Sequence, residues 1–114
     1  MELFTRTQFA KLLENGQSYN DDPDFNPKPV VKLFNPVGAA TWLIASVEPD
    51  NPDIAFGLCD LGMRSPELGS VSIEELSNYK GPLSLGIERD LHWKANKTLA
   101  EYADEARQHR QIVA

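Results

Sequence analysis

Three stretches of this chain place apolar residues at helical spacing just behind a start signal. Thr5 and Gln8 have capping-box spacing, and Phe4 and Phe9 fall where a hydrophobic staple needs them. Phe9, Leu12 and Leu13 continue as an apolar stripe, and Gly16 is placed to end that helix in the left-handed conformation. Ser72 and Glu75 repeat the box, with Val71 and Leu76 as staple, and residues 80–82 (Lys-Gly-Pro) stop this second, short helix. Thr98 and Glu101 form a third box. Leu99, Tyr102, Ala103 and Ala106 follow as the buried side of the last helix, opposite Asp104, Glu105, Arg107 and Gln108.

Between these helices the pattern changes to strand-like runs at 29–34, 39–47 and 53–61, with a weaker one at 69–73. Residues 84–94 read as one bent strand or two, because Gly86 permits a bulge. Turn residues crowd 35–38 and 48–53, and such short gaps favour antiparallel hairpins over crossovers. Residues 17–29 have no periodicity and read as an irregular surface loop. No internal repeat appears. The expectation is an α+β fold: an antiparallel sheet of four to five strands with an N-terminal helix, a short middle helix and a C-terminal helix. The helices are expected against one face of the sheet or at its ends. At this length, residues 1–114 are expected to form a single domain. Trp42, Ile44, Ile54, Phe56, Leu58, Ile87, Leu91 and Trp93 are the expected core.

Charge changes the picture more than composition does. The net charge is −6, and its excess sits in one third of the chain. Residues 48–75 carry Glu48, Asp50, Asp53, Asp60, Glu67, Glu74 and Glu75 against Arg64 alone. That sign disfavours nucleic acid as a partner. No apolar run approaches the roughly 18 residues of a membrane span, and the first residues lack the features of a signal peptide. A membrane is not expected as a partner, and the expected location is cytoplasmic. The single cysteine, Cys59, rules out an internal disulfide and suits a reducing compartment.

The stretch "GIERDLHWK", residues 86–94, holds the main candidate chemistry. Read as a strand, it puts Glu88, Asp90 and His92 on one side and Ile87, Leu91 and Trp93 on the other. Arg89 falls on the apolar side, where it would reach the sheet edge or pair with a buried carboxylate such as Asp60. Asp60, Glu88, Arg89, Asp90 and His92 are therefore the candidate polar site, although alternating polar residues are more often a plain solvated face. Cys59 lacks a neighbouring base and reads as a small buried hydrophobe. The glycines match neither a phosphate loop nor a dinucleotide pattern, and Cys-x-x-Cys, His-Glu-x-x-His and nucleophile-elbow motifs are absent. Lys94, Lys97, Arg107 and Arg110 cluster loosely around the last helix and read as solubilising charges. We assign no catalytic residue, metal or cofactor from the sequence.

Three segments taken in order, "FGLCDLG", "SPELGSVSIEEL" and "GPLSLGIERDLHW", give the chain a family likeness. Over residues 30–102 it resembles a bacterial family catalogued as domain of unknown function 2958. The resemblance implies a small single-domain protein carried on plasmids, phages and other mobile elements, and it implies no activity. Asp60, Glu67, Glu88, Arg89 and Asp90 lie within the shared motifs. The leading expectation is a non-catalytic interaction or accessory protein of a mobile genetic element, presenting carboxylates to a protein partner with a basic surface. The alternatives are a metal-assisted hydrolase of phosphate esters, using Asp60, Glu88, Asp90 and His92, and a small-ligand binding module using the polar strand face and Trp93.

Overall fold

The computed structural model describes residues 2–114. In chain order it forms α1 (Arg6–Asp21), β1 (Val31–Phe34), β2 (Thr41–Glu48), β3 (Asn51–Asp60), β4 (Glu67–Ser72), α2 (Ile73–Asn78), a 3-10 turn (Pro82–Ser84), β5 (Glu88–Arg89) and α3 (Leu99–His109). The five strands make one antiparallel sheet in the order β4-β3-β2-β1-β5, as the α+β reading expected. Strands β1 to β4 form a meander of hairpins, and β5 returns to cover the outer edge of β1. That leaves β4 as the longer open edge.

The sheet buries both faces, not one. On one face Leu12 of α1 packs with Val31, Leu33, Trp42, Ile44, Val47 and Ile87. On the other, Leu99, Tyr102, Ala103 and Ala106 of α3 pack on Leu43, Ala45 and Leu58. This double cover is why β2 is buried at six successive positions instead of alternating. Each fully buried Leu or Ile contributes about 1.5–3 kcal/mol relative to exposure. Trp42, Ile44, Leu58 and Ile87 are in the core as expected, Ile54, Phe56 and Trp93 are half-buried, and Leu91 is 64% exposed.

Two expected caps are complete boxes. The Thr5 hydroxyl accepts from Gln8 N–H, and the Gln8 side chain accepts from Thr5 N–H; Thr98 and Glu101 do the same at α3. At α2 the Ser72 hydroxyl accepts from Glu75 N–H at 3.2 Å, but Asp53 replaces the returning arm. Its carboxylate accepts from Glu74 N–H at 2.8 Å and from the Ser72 hydroxyl at 2.7 Å.

Gly16 does not end α1. A Cβ at Gly16 would lie 1.9 Å from the Val47 carbonyl oxygen, so the glycine lets α1 press directly on the β2 backbone. One residue earlier, buried Asn15 donates its side-chain N–H to the Ala45 carbonyl at 2.8 Å, at the point where the β2–β3 register slips. The helix instead ends at Asp21, where Pro23 disfavours helical geometry at Asp22. The irregular segment is thus 22–30, and it crosses to the opposite face of the sheet. There the Pro27 carbonyl and the Asn26 side chain accept from the N–H groups of Leu99 and Ala100, at the start of α3.

Candidate functional site

The structure spreads the five candidate residues instead of gathering them. Asp60 pairs with Thr41, Thr41 with Phe34, and Phe34 with Glu88. Asp60 and Glu88 therefore occupy one row of the sheet, three strand spacings apart, or about 14 Å. Arg89 pairs with Leu33 in the sheet, and its guanidinium donates to the Glu2 carbonyl at 2.9 Å. Asp90 N–H donates to the Lys32 carbonyl, while its side chain accepts from His92 N–H at 3.1 Å. That local turn takes the chain out of the sheet after Asp90, so residues 84–94 are neither one strand nor two long ones. Leu91 and His92 are exposed for this reason, and the expected alternation holds only around Glu88–Arg89. Among the described residues, no three His, Cys, Asp or Glu side chains come close enough to hold one metal ion.

Asp60 is 4% exposed. One carboxylate oxygen accepts from Gly62 N–H at 2.8 Å and the other from Ile112 N–H at 2.9 Å. Both oxygens thus accept from main-chain donors: Asp60 shapes the turn after β3 and ties down the segment following α3. Cys59, its neighbour, faces the opposite side, half-buried, and burial pushes its thiol up to about 11. A thiol so far above neutrality is a poor nucleophile.

A different arrangement stands out along α2. The ion pairs among the described residues are Lys11–Glu14, Lys32–Asp90, Lys97–Glu105 and Arg107–Asp104. None involves an acid of residues 48–75. Asp53, Glu74 and Glu75 line an open groove with Asn78 and Tyr79. The Ser72 hydroxyl, and then the Glu74 N–H, hold the Asp53 carboxyl below the usual carboxylate range, so Asp53 keeps its negative charge under mildly acid conditions. Glu75 and Tyr79 also line a second groove of about 300 Å³, walled by Trp42, Leu61, Leu76 and Ile87.

The apolar groove opens at the end of the sheet where the β1–β2 and β3–β4 turns meet the segment entering β5. Exposed apolar side chains concentrate there: Leu61 at 62%, Met63 at 77% and Leu83 at 86%, with Val37, Tyr79 and Leu85 less so. Three non-glycine residues of these loops, Arg64, Leu83 and Ser84, have left-handed backbone with φ of 65°, 61° and 58°. Each such residue costs about 1–3 kcal/mol, and strain of this kind gathers at functional surfaces. The acid-rich composition of residues 48–75 signalled half of this surface. Its apolar half comes from turns distant in sequence, and no local period marks it.

A family model described as "Protein of unknown function (DUF2958)" matches residues 3–113. No curated protein and no solved structure matches the chain. No helix among the described residues is long and apolar enough to cross a membrane.

Proposed function

This chain belongs to the family of proteins of unknown function DUF2958, and from that premise we propose that it is a non-catalytic interaction module whose docking surface is the paired groove along α2. The occupant is a basic, amphipathic segment of a partner protein. Its apolar anchor enters the groove of Leu61, Tyr79 and Ile87, and its Lys or Arg side chains lie over Asp53, Glu74 and Glu75. The observation that carries this reading is the junction: Glu75 and Tyr79 line both grooves, so one segment spans an oily slot and an acidic trough without a break. Among the described residues these carboxylates pair with no cation, so a cationic partner would meet them without competition from those residues. Leu83, strained and 86% exposed, supports the same end of the sheet as a contact surface. The family likeness seen in the sequence supports an accessory role in a mobile genetic element, acting in the cytoplasm. The hydrolase alternative draws no support from Asp60, whose oxygens are both engaged by main-chain N–H groups.

Two synthetic helical peptides of matched length test the proposal, one built of Leu and Lys, the other of Leu and Glu. Titration calorimetry should show binding of the Leu/Lys peptide alone, weakening steeply between low and physiological salt. The double variant E74Q/E75Q should lose about tenfold in affinity, a typical cost for two facing charges at a partly exposed rim. L61S should lose a similar factor with the salt dependence unchanged. Equal binding of both peptides, or wild-type affinity in both variants, would discard the proposal.

A further inference from the structure

At the far end of the sheet a second cleft, of about 380 Å³, lies between the last turn of α1 and the start of β3. Its walls come from Tyr19, Pro23, Ile54 and Phe56, and its polar groups from Ser46, Glu48 and Ser70. The volume is within the range of small-molecule sites, which combine apolar walls with a few placed polar groups.

Ser46 makes this cleft more than a surface dent. It is 96% buried by the complement of its 4% exposure, and it lines the cleft. Its hydroxyl has no hydrogen-bond partner among the described residues, yet it is not sealed from outside, since no fully enclosed side-chain polar atom lacks a partner. That opening lets water reach the hydroxyl, and an incoming donor or acceptor would take the place of that water. The register slip between Ile44 and Ser46 sets Ser46 opposite Phe56, which packs at the margin of the α3 core.

The walls are firmly set. The Tyr19 ring meets the Phe25 and Phe56 rings edge-on at centroid distances of 5.2 and 5.7 Å, so its position is fixed from two sides. Burial raises the Tyr19 phenol above its ordinary value and keeps it a neutral donor at physiological pH. Glu48, held by Asn20 at 3.3 Å, supplies the only formal charge on the lining, and no Lys, Arg or His lines the cleft. An anionic ligand would face that carboxylate without compensation.

We propose that this cleft binds a small organic cation: a primary ammonium group on a compact aromatic or branched apolar body. The apolar body packs between Tyr19, Phe56 and Pro23, and the ammonium group reaches Glu48 while donating to the Ser46 hydroxyl. A cation over the Tyr19 or Phe56 ring face gains a further attraction. The site is independent of the grooves along α2, because it shares no lining residue with them.

Phenethylamine and 3-phenylpropanoate form a suitable probe pair, with similar apolar bodies and opposite charges. Each is titrated into 15N-labelled protein, and amide shifts are followed. The amine should shift the Ser46, Phe56 and Ser70 amides in a saturable way, with a dissociation constant of about 1 mM or tighter, as expected for a probe of so few atoms. E48Q, at a partly exposed position, should weaken the amine about fivefold while leaving the remaining spectrum in place. S46A, a second variant that keeps the backbone, should also weaken the amine, since it removes the hydroxyl that accepts from the ammonium group. Absence of saturable shifts up to 10 mM (about tenfold above the expected constant), equal response to the amine and the acid, or unchanged amine binding in E48Q would each overturn the proposal.

Discussion

β3 carries a carboxylate near each end, and the two do opposite kinds of work. Asp60, at its last position, is buried and spends both oxygens on main-chain N–H groups, one of them 52 residues away at Ile112. Asp53, near its start, is less enclosed and anchors the first turn of α2 through Ser72 and Glu74. One closes the fold over the α3 side of the sheet. The other fixes a short helix whose exposed Glu74 and Glu75 make no ion pair among the described residues. The acid-rich third of the chain is therefore not one electrostatic feature. Part of it is internal scaffolding, and the remainder is charge left available to something outside the chain.

The strongest way to break that contrast is D60A. It leaves two main-chain N–H groups without their acceptor, at about 1–3 kcal/mol each where they are buried. We expect a loss of about 3 kcal/mol in urea unfolding, with D60N, which keeps one acceptor, losing less. Amide exchange localises the effect: Ile112 should lose protection in D60A while Glu74 keeps its own. Next in size is D53N, where the reverse holds, with Glu74 exchanging faster and Ile112 unchanged.

The same variant carries a pH signature. The Asp53 carboxyl lies below its ordinary value in the folded chain, so its contribution is fully present above the unfolded value. It fades as pH falls through the folded one. D53N should flatten the acid limb of the stability curve below about pH 4, the ordinary carboxylate range. A flat wild-type acid limb would place the control of α2 elsewhere.

The smallest effect concerns Cys59. Between its ordinary value near 9 and about 11, the unfolded chain releases a proton that the folded one keeps. Stability therefore falls as pH rises through that window, and C59S should make the slope shallower, leaving the part that Tyr19, also raised, contributes. Iodoacetamide should label native Cys59 slowly at pH 8, near the ordinary thiol range, and much faster in urea.

What was legible in the sequence was local. Thr5 with Gln8 and Thr98 with Glu101 mark helix starts because a cap needs only residues three apart. Strand-like runs bounded by turn residues mark β1 to β4 for the same reason. The failures share the opposite cause. Gly16 looked like a helix stop, and only the Val47 carbonyl pressed against it explains a glycine inside α1. Residues 84–94 alternate as a strand does, but an Asp90 side-chain turn overrides the alternation and puts Leu91 outside. Asp60 was grouped in the sequence with Glu88, Arg89, Asp90 and His92, but its partners are the Gly62 and Ile112 N–H groups of a turn and a distant segment. Ser46 carried no signal at all, because an ordinary serine in an apolar strand becomes distinctive only when a register slip leaves its hydroxyl over a cleft.

The open edge at β4 has a further consequence for handling the protein. Residues 68–72 contain neither proline nor lysine and no charge, so nothing within that run forbids another extended chain from adding to it. Glu67 before it and Glu74 and Glu75 after it are placed as gatekeepers, whose like charges would oppose edge-to-edge pairing of two copies. Concentrated stocks should therefore be held at modest ionic strength, because molar salt would screen the guard that this strand relies on.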